Sequence, residues 1–163
     1  MTDNLPPSAA RVQGALLAQN SPFRVVEMPS STRTAQEAAT AIGCAVAQIA
    51  KSILFKGAVS GKPILVIASG TNRVDEKLVA KRTGEPLAKA TADFVRETTG
   101  YVIGGVPPVG FSQPIETWID ADLLAFAEVW AAAGTPFTVF SLDPRALPGL
   151  TGGTIIEVSG SGS

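Results

Sequence analysis

The sequence predicts an α/β domain built on a mixed β-sheet, and three observations point to it. Short apolar runs of β-formers alternate with stretches of helical period. Two of these runs, Ile53-Leu54-Phe55 and Ile64-Leu65-Val66-Ile67-Ala68, face each other across a Ser60-Gly61-Lys62-Pro63 turn, which is hairpin spacing. A chain of 163 residues, 45% hydrophobic and 17% charged, holds enough apolar material for one core and is too short for two ordinary domains. Residues 1–163 are therefore expected to form a single domain without internal repeats or linkers, ending in a flexible tail over 159–163.

Residues 8–19 place Val12, Ala15 and Leu16 on one helical face, behind Pro6-Pro7 and with Ser8 as the expected cap. Asn20-Ser21-Pro22 ends that helix, and residues 23–28, from Phe23 to Met28, read as a strand. Thr34 and Glu37 have capping-box spacing and open a helix that Gly43 stops. Residues 46–50 read as a helical turn or an extended approach to the central strand, 49–56. After the hairpin, residues 75–82 carry acids early and bases late, which suits a helix dipole, and Gly84 closes the helix. A short helix is expected over 91–97 and a strand over 100–103. Residues 117–120 and 137–141 read as strands. Residues 125–133 are ambiguous, because the alanines favour a helix while Phe126, Val129 and Trp130 fit a strand. Asp143-Pro144 starts a short helix, and Gly152-Gly153 turns into a last strand over 154–158.

Composition narrows the chemistry. The chain contains no histidine and one cysteine, Cys44. No Ser-His-Asp triad, Cys-His pair, or zinc site of the His or clustered-Cys kind can be built from it, so no metal or cofactor is expected. Proton transfers would fall to carboxylates, lysine, water or the substrate itself. A lone cysteine excludes an internal disulfide and suits a reducing cytoplasm. No apolar run is long enough for a membrane span, and residues 1–7 lack the pattern of a secretory signal. The net charge of −1 argues against strong nonspecific nucleic-acid binding, DNA included. The charge is unevenly spread, however. Residues 1–115 hold 12 Lys/Arg against 8 Asp/Glu, and residues 116–163 hold Arg145 against six acids. One side is thus mildly basic, with Arg73, Lys77, Lys81, Arg82 and Lys89 concentrated in it, which permits a transient phosphate contact without requiring one.

Two stretches carry the functional reading. Lys51 heads the central strand, where a lysine either points to solvent or is held over a cleft, and the local pattern decides for neither. Gly104-Gly105-Val106-Pro107-Pro108-Val109-Gly110 lacks both the P-loop and the dinucleotide signatures. It is either an ordinary tight loop or one whose glycines let a ligand approach the backbone while the prolines stiffen it.

In this order and at this separation the two stretches resemble the YbaK/EbsC family, the editing domains associated with prolyl-tRNA synthetase. The likeness spans about residues 9–158. It rests on Lys51-Ser52-Ile53-Leu54, on the run from Gly100 to Gly105, on the Gly-x-x-x-Pro loop from Gly104 to Pro108, and on Pro114-x-x-x-Trp118-Ile119-Asp120. The resemblance implies a curved, barrel-like mixed sheet surrounded by helices, with a strand within 125–133. It also implies hydrolysis of the ester between a wrong amino acid (Ala, Ser, Thr or Cys) and a tRNA, usually tRNA for proline. Lys51 is then the functional lysine, and Gly104, Gly105, Val106, Pro107 and Pro108 shape the aminoacyl pocket, with Met28 an apolar neighbour. The implied partners are the 3′ acceptor end of an aminoacyl-tRNA and prolyl-tRNA synthetase. The cysteine-specific members carry a tyrosine, a serine and an acid near Met28, Ala132 and Val139, and none of the three is present here. A non-catalytic module holding a tRNA end, an amino acid or a synthetase is the alternative reading of the same residues.

Overall fold

Eight strands form one mixed sheet in a computed structural model that describes residues 5–159. The expected tail over 159–163 lies outside the described residues except for Ser159. In chain order the strands are β1 (Val25–Glu27), β2 (Ile49–Gly57), β3 (Pro63–Ser69), β4 (Leu87–Lys89), β5 (Glu116–Asp120), β6 (Val129–Ala132), β7 (Thr138–Leu142) and β8 (Thr154–Ile156). Five α-helices accompany them: α1 (Pro7–Ala18), α2 (Ala35–Ile42), α3 (Glu76–Thr83), α4 (Ala92–Thr99) and α5 (Leu147–Thr151).

The β2–β3 hairpin is the centre of the sheet. Its antiparallel register pairs Lys51 with Ala68 and Leu54 with Leu65. Side-chain alternation then divides the interior. Ala50 and Leu54, with Leu65 and Ile67, enter the main core beside Val12 and Leu16 of α1. Phe55, with Ile64, Val66 and Ala68, enters a second core with Val79 of α3. From β3 the sheet continues parallel through β5 to β8, and from β2 through β6 to β7 and β1.

One irregularity of β2 places the site. Along the side of β2 away from β3, β6 pairs only with Ile49 and Ala50, and β4 pairs only with Phe55, Lys56 and Gly57. Between these two partners, Lys51, Ser52, Ile53 and Leu54 have no ladder partner among the described residues, so the sheet is split at that point.

Several local expectations need correction. Ser8 does not cap α1; the cap position is Pro6, and no side chain serves it. The expected strand at 100–103 is absent. α4 ends at Gly100 (φ +82°), and Tyr101 turns inward to 1% exposure while its hydroxyl donates to the Gly110 carbonyl at 2.7 Å. Burying the ring and bonding its hydroxyl outweigh the β-propensity of Tyr-Val-Ile. Within 125–133 only Val129–Ala132 is strand, and Ala121–Ala125 is a 3-10 turn. Ladder bonds to β2 and β7 override the helix preference of alanine there. β4, too short to show a period, was not legible in the sequence.

A cleft at the split in the central sheet

Thr34 starts α2 as expected, its Oγ1 accepting the Glu37 N–H at 3.1 Å. That cap sets the first turn of α2 against the open stretch of β2, and a cleft of about 210 Å³ lies between them. Its charged wall is Arg33 and Lys51. Its small-residue wall is Ala35, Ala38, Ala131 and Ala132, closed by Ile49, Trp130 and Val139.

Lys51 is half-buried in this cleft and is not a solvated strand end. Its Nζ donates to the Gly70 carbonyl at 3.4 Å, and among the described residues no carboxylate reaches ion-pair distance. Burial pushes the ammonium below the ordinary lysine value of 10.5, and the negative charge of Asp120 offsets part of that. Asp120 is itself 1% exposed and fixed by the Ser69 and Asp122 N–H groups and the Asn72 amide.

The glycine-proline loop lies beside the split, where Gly104 and Val106 line cavities together with Ser52 of β2. Gly104 adopts φ +93°, a conformation that favours glycine, and the Arg33 stem lies where its Cβ would be. Gly105 packs on the backbone of Thr135, 2.8 Å from the position of a Cβ; its N–H donates to the Val102 carbonyl and its carbonyl accepts the Gly134 N–H. Of the loop residues singled out in the sequence, Gly104 and Val106 line the cleft. Gly105, Pro107 and Pro108 do not; they are buried in the packing behind it, because Val106 and Val109 carry the loop into the main core. Met28 is also absent from the cleft lining. Its N–H continues the β1–β7 pairing by donating to the Phe137 carbonyl at 2.7 Å. Ala132 and Val139, positions where the resemblance notes departures, both line the cleft.

Sequence reasoning missed Ser52. Its Oγ is buried and has no hydrogen-bond partner among the described residues. It borders this cleft and a second chamber of about 400 Å³ on the β4 side of the loop. No motif marks a serine inside a strand; the sheet split makes it conspicuous. Among the described residues no group of three His, Cys, Asp or Glu is placed to hold a metal ion, and no helix is long and apolar enough to cross a membrane.

A charged lysine in a closed cleft of small side chains is suited to holding an anionic or polarised small group. Comparison with known proteins gives the family. Residues 29–150 match the aminoacyl-tRNA editing domain family, and the chain belongs to that family. Among its relatives is YwhH of Bacillus subtilis (strain 168), an uncharacterised protein, 33% identical over 76% of this chain and 78% of that one. EbsC of Enterococcus faecalis, described as a "Putative Cys-tRNA(Pro)/Cys-tRNA(Cys) deacylase", is 25% identical over 77% of each chain. A solved structure described as "a putative trans-editing enzyme for prolyl tRNA synthetase" is 47% identical, covers 97% of this chain and 100% of that one, and superposes with a TM-score of 0.90.

Proposed function

We propose that the protein is a trans-acting deacylase that hydrolyses the ester of a mischarged tRNA, with a small non-cognate amino acid on tRNA for proline as the substrate and the cytoplasm as the setting. The observation that carries this is the half-buried Lys51, without an ion-pair partner among the described residues, in a cleft walled by alanines. An aminoacyl ester is already activated, so a chain without histidine can act on it by position and charge. Water attacks the ester carbonyl carbon, the bond to the ribose oxygen breaks, and the neighbouring free ribose hydroxyl relays the proton to the leaving oxygen. The developing oxyanion needs a partner. Gly105 has spent its N–H on Val102, and the two prolines have none to give. The Lys51 ammonium is the cation that faces the cleft beside Arg33, and it takes that role.

Selection follows from size. The walls at Ala35, Ala38, Ala131 and Ala132 leave room for alanine, serine, threonine or cysteine side chains. Such a pocket grades ligands by about 1–3 kcal/mol per methylene. Proline is no bulkier than threonine, so the cleft walls exclude it by the shape of its ring and its secondary amine and not by bulk; Pro107 and Pro108 lie outside the lining, so the doubled proline makes no direct clash.

The test is a panel of mischarged tRNAs incubated with the purified protein, measuring ester loss over the spontaneous background. Loss is expected for Ala- or Ser-tRNA(Pro), with correct Pro-tRNA spared. No loss with any member would leave a non-catalytic tRNA-binding module as the better reading, and equal hydrolysis of Pro-tRNA would sink editing.

A further inference from the structure

Asp120, the last residue of β5, is a buried charge that the chemistry of the cleft leaves unused. It is 1% exposed and has no ion-pair partner among the described residues. A carboxylate taken out of water is costly unless hydrogen bonds satisfy it. Here three donors do so. Oδ2 accepts the Ser69 N–H at 2.9 Å and the Asn72 amide at 2.8 Å, and Oδ1 accepts the Asp122 N–H at 2.9 Å.

Two of those donors belong to one turn. β3 ends at Ser69, and the Asn72 N–H donates to the Ser69 carbonyl at 2.9 Å, which closes a turn with Gly70 and Thr71 at its tip. The turn also rests on the 3-10 segment Val46–Gln48 that leads into β2. The Ser69 hydroxyl donates to the Ala47 carbonyl at 2.7 Å, and a Cβ on Gly70 would lie 2.3 Å from the Val46 carbonyl oxygen. So clamped, the turn presents the Gly70 carbonyl to the Lys51 ammonium at 3.4 Å. That contact is long for a hydrogen bond, so a small displacement of the turn breaks it.

We infer that Asp120 is a positioning residue: it fixes the Ser69–Asn72 turn, and through the Gly70 carbonyl the turn sets where the Lys51 ammonium stands in the cleft. The inference rests on the deacylase reading of Lys51 and adds what aims that lysine. The position calls for a carboxylate, because all three groups facing it are donors and a carboxylate only accepts. An asparagine would turn its own N–H groups either on Ser69 and Asn72 or on Asp122, and one side of the network would open. Charge acts in the same direction. Arg33 and Lys51 are the charged residues of the cleft lining, and the Asp120 carboxylate opposes the burial that lowers Lys51. Without it the ammonium gives up its proton at lower pH.

The experiment is a double-mutant cycle between Asp120→Asn and Lys51→Ala, read as hydrolysis of Ala-tRNA(Pro), with Tm recorded for each variant. Asp120→Asn is expected to lower kcat about a hundredfold, the effect of misplacing a reacting group by about 1 Å, with KM nearly unchanged. Its pH–rate profile falls on the alkaline side at lower pH than that of the wild type. In the Lys51→Ala background the same substitution changes the rate little, because the group it aims is gone. Losses that multiply in the double variant show a general effect on the fold and overturn the inference, as does Asp120→Asn at the wild-type rate. If Asp120→Asn fails to fold, Asn72→Ala removes one bond of the half-buried turn and is expected to lower kcat by a smaller factor, again only where Lys51 is present. A loss independent of Lys51 overturns the inference there too. An NMR titration of the Lys51 side chain separates this from the deacylase reading, with the midpoint expected to fall in Asp120→Asn. A fallen midpoint in a protein whose wild type hydrolyses no mischarged tRNA sinks the deacylase and leaves the link between Asp120 and Lys51. Hydrolysis by the wild type with an unmoved midpoint sinks the link alone.

Discussion

Lys51 combines two costs that an ordinary surface lysine avoids. It is partly desolvated, and its strongest neighbour is a carbonyl 3.4 Å away. A lysine whose ammonium is lowered by burial has a folded-state value below its unfolded one. The charged form therefore weakens the fold at neutral pH, and that penalty is relieved as pH rises from the lowered value toward 10.5. Lys51→Ala is accordingly expected to fold with an unchanged or slightly higher Tm while losing about a hundred- to a thousandfold in deacylation rate, the usual loss when one transition-state contact is removed. The same shift makes wild-type activity fall on the alkaline side before the ordinary lysine value is reached. Calorimetry of the variant and a pH–rate profile of the wild type check both; wild-type turnover in the alanine variant would return Lys51 to a bystander.

The hairpin that presents Lys51 is held at its turn by a residue from another element. Glu85, just after α3, accepts the Val59 and Ser60 N–H groups at 2.9 and 2.8 Å and the Ser60 hydroxyl at 2.8 Å. Those bonds from Ser60 and Val59 hold its carboxyl below the ordinary 4.5. A depressed carboxylate contributes stability above its unfolded value and loses it as pH falls through the folded one. Glu85→Gln is therefore expected to melt below the wild type at neutral pH, with the gap closing as pH drops under 4.5. Thermal melts across that range measure it, and a gap independent of pH would show that the charge does not hold the turn. At this scale the sequence was legible where one element decides its own form. Thr34 caps α2 as read from the sequence, because an N-cap needs only the next three residues; Asp75 and Thr91, read there only as the starts of their helices, cap α3 and α4. The 100–103 stretch was not, because Tyr101 answers to Gly110 and the core and not to its neighbours in sequence.

Over the whole molecule, the two ladder partners of β2 leave an opening, and the glycine-proline loop lies beside it. With zero histidines and a single cysteine in the chain, the site is expected to work without a metal. Dialysis against a strong chelator should leave both Tm and deacylation unchanged; a loss restored by zinc or magnesium would reveal a carboxylate site.

The sequence by itself determined the alternation of strands and helices, the β2–β3 hairpin, the Thr34 cap of α2 and the exclusion of histidine chemistry. Each depends on residue type and short spacing alone. Lys51 and the glycine-proline loop were legible as a pair through their resemblance to a family. Only the tertiary structure decided which loop residues face the cleft. Gly104 and Val106 do, whereas Pro107, Pro108 and Met28 do not, because core packing around Val106 and Val109 and the β1–β7 pairing set their directions. Only the tertiary structure showed Ser52 and the second chamber. Both arise where β6 and β4 stop short along one edge of β2, a gap between partners 81 and 30 to 34 residues away in sequence that no local pattern records.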